Sequence, residues 1–167
     1  MGIRNIRVND DPILKKTSRP VEVFDSRLFT LLDDMHDTLI KADGCGLAAV
    51  QVGVLKRVVI VDVGDGLIEL INPEIIETSG EQYEVEGCLS LPGKSGITKR
   101  PMTVKVKAQD RNGKWCQYKG EGLKARAFCH ELDHLDGHMY VEKVEGDLVD
   151  NEDLVAQQEK EYEENAD

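Results

Sequence analysis

The 167-residue sequence contains no run approaching the eighteen or so apolar residues of a membrane-spanning helix, which excludes a helical span. No secretory leader is expected either: Met1-Gly2-Ile3-Arg4-Asn5 runs straight into polar sequence, and this stretch is too poor in Arg and Ser to read as a transit peptide. The expected location is cytoplasmic. Positive charge is short. Lys and Arg number 21 against 32 Asp and Glu, a formal net charge of −11, and a general nucleic-acid binder needs the basic footprint this chain lacks. Internal repeats are absent. The four cysteines, Cys45, Cys88, Cys116 and Cys129, occur without an export signal, so reduced thiols or metal ligands are favoured over disulfides.

What is present is a globular composition, 40% hydrophobic and 32% charged, enough for one core in a single domain. The acidity sits at one end. Residues 142–167 hold 11 acidic and 2 basic side chains, a net of −9, against −2 for the rest. The reading is a folded body over 1–146 and an acidic C-terminal tail over 147–167. Leu148, Val149, Leu154, Val155 and Tyr162 give that tail a thin helical stripe.

Asp25 or Ser26 can cap a helix whose apolar stripe is Leu28, Leu31, Leu32, Met35, Leu39 and Ile40, with His36 facing solvent and Gly44 as its stop. The run Gly44-Cys45-Gly46-Leu47-Ala48-Ala49-Val50-Gln51 fits no regular element, and its glycines permit close approach of another backbone. Strands are expected over Arg57–Val63, Leu67–Ile71, Met102–Gln109 and Trp115–Lys119, the last two joined by an Asn112-Gly113 hairpin turn. Residues 75–85 read as extended. Gly122 to Asp136 returns to helical period and ends at Gly137. The pattern predicts an α+β fold, antiparallel sheets packed around one central helix.

That helix carries His130-Glu131-Leu132-Asp133-His134, an HExxH. Histidines four apart project from one helix face and can hold one metal, with the intervening Glu able to poise a water. Leu123 and Ala127 share the face, an apolar lead-in that argues for a buried site. A tetrahedral catalytic metal takes three protein ligands and keeps one position open. His138 follows the helix stop, and Glu142 and Glu145 lie in tail sequence. Cys88, in Glu86-Gly87-Cys88-Leu89-Ser90, is the better third ligand, although alone it would read as a small buried hydrophobe. Cys129 points about 100° away from His130 around the helix and is not a fourth ligand. Cys116 reads as strand packing.

These residues carry a resemblance. Gly44 to Gln51, Glu86 to Ser90 and His130 to His134 resemble, in order and spacing, the three signature motifs of peptide deformylase, and the similarity runs from Arg4-Asn5-Ile6 to about Val144. That resemblance implies hydrolysis of the N-formyl group from the formyl-methionine of new polypeptides, with N-formyl-methionyl peptides as partners, at most a transient ribosome contact, and no membrane. It implies Cys88, His130 and His134 as metal ligands, Glu131 as the proton-transferring base, and Gln51 with the Leu89 N–H as oxyanion donors. Gly46 would pair with substrate backbone, and Gly44, Cys45, Leu123 and Ala127 would bind substrate. The metal it implies is one divalent ion per chain, Fe²⁺ in the cell, with Zn²⁺, Ni²⁺ or Co²⁺ as substitutes. Glu86 and Arg100 are a further candidate ion pair. Cys45, Val50 and Cys129 depart from the residue types common in the family.

Two other readings fit parts of the pattern. An HExxH endopeptidase is disfavoured by the short chain, which leaves no second lobe to frame a cleft. A non-catalytic metal- or peptide-binding protein is disfavoured by the presence of Glu131 and Gln51.

Overall fold

Asp25 opens the first helix, α1 (Ser26–Ala42), by accepting a hydrogen bond from the Leu28 N–H at 3.3 Å. The structure, a computed structural model, describes residues 2–153. Leu154, Val155 and Tyr162 of the tail stripe therefore lie outside the described residues. Leu28, Leu31, Leu32, Met35 and Leu39 are buried as the stripe predicts, but Ile40 is 64% exposed, because the stripe has rotated off the core by the last turn. His36 is half-buried rather than solvent-facing. The helix stops at Asp43, in the left-handed region at φ 54°, rather than at Gly44.

The run that fits no regular element forms two short ones. Strand β1 (Gly46–Ala48) pairs antiparallel with β2 (Val58–Val61), and Ala49–Val52 turns as a 3₁₀-helix. Val58 to Val61 is apolar throughout because both faces of β2 are covered. Val58 and Ile60 pack in the cluster with α1, and Val59 and Val61 pack on the other side. Burying each such side chain stabilises the fold by about 1.5–3 kcal/mol.

Strand β3 (Ile68–Ser79) is longer than the five residues expected. Asn72 sits at φ 52° within it, at a register shift, and its side-chain amide bonds Val21 and Gln109, which satisfies the interrupted ladder. Strands β4 (Gln82–Cys88) and β5 (Leu91–Arg100) follow as an antiparallel pair. Strands β6 (Thr103–Gln109) and β7 (Trp115–Glu121) are the expected hairpin, with Gly113 at φ 84° in its loop.

Helix α2 (Leu123–Leu135) then runs through the interior, with Ala125, Phe128 and Leu135 in the core shared with β2, β3 and β6. The result is an α+β arrangement of two antiparallel sheets, β1-β2-β3-β6-β7 and a smaller one, around that helix. The smaller sheet has the order β4-β5-β8, and β8 (Val144–Asp150) corrects the tail reading. Its Val149 pairs with Ser95 and its Asp150 with Lys94, so the boundary at 146/147 falls inside a strand and residues 147–150 are sheet, not helix. Gly96 makes room for it: a Cβ there would stand 2.7 Å from Val144. No helix among the described residues is long and apolar enough to cross a membrane.

Candidate active site

Three segments converge on one cavity of about 430 Å³. Gly44, Cys45 and Gly46 line it from the start of β1, Cys88 and Leu89 from the β4–β5 turn, and Leu123, Ala127, His130 and Glu131 from α2. Leu123 stands half exposed at the rim and Ala127 is buried. A register shift between Gly87 and Cys88 ends the regular ladder and turns the thiol inward. The ligand atoms of Cys88, His130 and His134 all lie within 4.8 Å of one another, and Cys88 Sγ is 3.3 Å from His134 Nε2.

That spacing fits a metal. Bonds of about 2.3 Å to sulfur and about 2.0–2.1 Å to nitrogen in a tetrahedral site separate the two donors by about 3.5 Å. Burial, with His130 adding to it, drives the His134 pKa down to about 3, so this imidazole is neutral, as a ligand must be. His130 is also pushed down by burial, but contacts with Cys88, Glu131 and Glu86 outweigh that and hold it well above the ordinary value. His130 Nδ1 lies 2.8 Å from Glu86 Oε2, which leaves Nε2 as its ligand atom.

Glu131 lies between the histidines and is 4% exposed. Its Oε1 is 3.8 Å from His130 Nε2, and its Oε2 has no hydrogen-bond partner among the described residues. Burial raises its carboxyl pKa to about 7. Gly46 is what lets β1 pass so close: a Cβ there would be 2.8 Å from Glu131 Cγ.

Gln51 is buried behind the cavity wall. Its Oε1 accepts from the Ala48 N–H at 2.9 Å, which fixes the amide so that Nε2 reaches Ser90 Oγ at 3.1 Å and Cys88 Sγ at 3.7 Å. Glu86 and Arg100 form a buried ion pair at 2.6 Å, and Arg100 also holds Asp133 at 2.7 Å. Cys129 is buried on another side of α2, its thiol pKa pushed up to about 11, and stands outside the ligand cluster. Cys116 is half-buried on β7. His138 and Glu142 pair with each other at the surface.

Sequence reading missed Ser90, Thr98, Arg126 and Tyr140. Arg126 and Thr98 both bond Glu86, and Tyr140 stacks on the His130 ring at 5.9 Å. One signal was available for Arg126: it precedes His130 by one helical repeat of four residues.

Comparison with known proteins gives a consistent answer. The family described as polypeptide deformylase matches residues 3–148. A peptide deformylase of Alkaliphilus metalliredigens is 58% identical over 144 residues, 86% of this chain and 98% of that protein. Among solved structures, peptide deformylase from Thermotoga maritima superposes with a TM-score of 0.85 at 39% identity, covering 87% of this chain and all of that one. A peptide deformylase from Acinetobacter baumannii bound to Met-Ala-Ser superposes with a TM-score of 0.80 at 33% identity, over 85% and 98% of the two chains.

Proposed function

This chain belongs to the polypeptide deformylase family, which removes N-formyl groups from nascent peptides, and from that premise we propose how its own residues carry the reaction. The observation that carries the proposal is the convergence of Cys88, His130 and His134 beside Glu131 on a single cavity.

Cys88, His130 and His134 would hold one divalent metal. When bound, that ion supplies Lewis acidity, polarising the formyl group and making a water acidic near neutral pH. Two imidazoles and a thiolate suit Fe²⁺, Zn²⁺, Ni²⁺ and Co²⁺ alike. The family's habit supports Fe²⁺ in the cell.

Glu131 accepts the proton of the attacking water and returns it to the leaving amine, releasing formate and a free N-terminus. Its unpartnered Oε2 and its pKa near 7 support that role, since a base works best when its pKa lies near the operating pH. Gln51 Nε2, on an amide whose Oε1 the Ala48 N–H fixes, and the Leu89 N–H donate to the oxyanion as the carbonyl carbon becomes tetrahedral. The peptide backbone lies along β1 at Gly46, whose other edge pairs with no strand among the described residues. Cys45, Leu123 and Ala127 take the first side chain.

The substrates are N-formyl-methionyl peptides, supported by the Met-Ala-Ser bound to the Acinetobacter relative. The setting is the cytoplasm, with at most a transient meeting at the ribosome, because a C-terminal segment of net −9 is ill suited to an RNA surface. The test is formate release from formyl-Met-Ala-Ser by anaerobically purified protein loaded with each metal in turn. Stoichiometric metal without formate release would sink the proposal.

A further inference from the structure

Glu86 receives five donors, and they divide unequally between its oxygens. Oε1 accepts from Thr98 Oγ1 at 2.9 Å, Arg100 Nε at 3.1 Å and Arg126 Nη1 at 2.8 Å. Oε2 faces Arg100 Nη2 at 2.6 Å and His130 Nδ1 at 2.8 Å. Arg100 alone cannot neutralise this carboxylate, because its Nη1 is committed to Asp133 at 2.7 Å. Arg126 provides the second positive charge. Its side chain is 5% exposed against 4% for Glu86, and an uncompensated charge at such a depth is strongly destabilising.

Arg126 is itself fixed to β5: Nη2 donates to the Thr98 carbonyl at 3.1 Å, and Nη1 bonds Thr98 Oγ1. It sits four residues before His130 on α2, so one helix supplies both the ligand and the clamp on that ligand's partner. His134 shows the contrast, since its Nδ1 has no partner among the described residues. Of the two imidazoles, it is His130 whose Nδ1, the nitrogen turned away from the ligand cluster, has a hydrogen-bond partner among the described residues.

We propose that Arg126 is a positioning residue of the metal site. By saturating Glu86 Oε1 and balancing its charge, it leaves Oε2 to fix the His130 ring with Nε2 as the ligand atom. The proposal rests on the reading of Cys88, His130 and His134 as ligands.

The test uses the full chain and Co²⁺ alone as probe. Affinity is read by chelator competition and ligand geometry by the visible spectrum of the Co²⁺ form. Both are measured at a temperature where circular dichroism shows each variant folded. R126M should bind Co²⁺ about 10–100-fold more weakly with displaced ligand-field bands, the scale on which groups behind a metal ligand act, and R126K should recover most of the loss. A merely structural arginine would lower the melting temperature and leave affinity and bands alone. R126Q, which keeps volume and polarity without charge, is read the same way if R126M does not fold. Affinity within about threefold of the parent and unchanged bands in the folded uncharged variant overturn the proposal while the ligand reading stands. Parental affinity in H130A overturns the ligand reading, and this proposal with it.

Discussion

Helices α1 and α2 cover opposite faces of β1 and β2, and they differ in what they bury. Apart from Thr38, α1 buries only apolar side chains. Alongside its own apolar residues, α2 buries Arg126, His130, Glu131 and His134. Apolar burial is favourable by itself, whereas each polar group taken inside costs free energy until a partner answers it. Arg126 Nη1 and His130 Nδ1 find partners in Glu86, while Arg126 Nε, Glu131 Oε2 and His134 Nδ1 find none among the described residues. One helix therefore stabilises the fold, and the other spends part of that stability on buried polar groups left without a partner among the described residues.

If that division is right, substitutions in the two helices should fail in different currencies. The largest effect belongs to α2. Glu131→Ala should lower the rate of formate release by about 10²–10⁴-fold, the range for removing a general base, while elemental analysis still finds stoichiometric metal. Loss of the metal would make Glu131 a ligand and blur the contrast between base and ligands.

Next comes α1. Leu32 is completely buried, and Leu32→Ala should cost about 2–5 kcal/mol in urea unfolding, with kcat/KM of the folded variant unchanged. A parallel fall in kcat/KM would show that α1 also shapes the site.

The third prediction sharpens the α2 side. A formyl-Gly peptide lacks the side chain that Cys45, Leu123 and Ala127 would take, and should lose about 1.5–3 kcal/mol of kcat/KM against formyl-Met. Equal turnover would remove these residues from the pocket. The smallest effect is at the α1 cap. Asp25→Ala should cost about 1 kcal/mol in unfolding and leave formate release untouched, which parallel measurements of both would check.

The same contrast governs what the sequence discloses. The α1 stripe, the β6–β7 alternation and the HExxH are local periodic patterns, and they are visible in single segments. Cys88 was legible as a candidate third donor because a histidine pair demands one, and the structure brings its thiol beside both histidines. Three residues of β1 are too few to display a period of two, so that strand was hidden inside its glycine run. The strand β8 was hidden by its acidity: with Glu145, Asp147 and Asp150 exposed, its charge resembles a solvated tail. The Glu86 network joins β4, β5 and α2 across up to 44 residues, a closure that no local pattern announces. Its Glu86–Arg100 member was foreseen, whereas Arg126 and Thr98 belong to the contacts that only the fold creates.

A bare strand edge is ordinarily a hazard, since any other chain can hydrogen-bond to it. On β1 the open edge is shorter than the strand, because Leu47 and Ala48 are buried and the Ala48 N–H already donates to Gln51 Oε1, which leaves the part at Gly46, too short to nucleate stacking between molecules. Main-chain groups are the same in every protein. In the proposed reading, with the substrate backbone beside Gly46, an edge that addresses only these groups works like a universal socket, so one small enzyme can serve chains of many sequences.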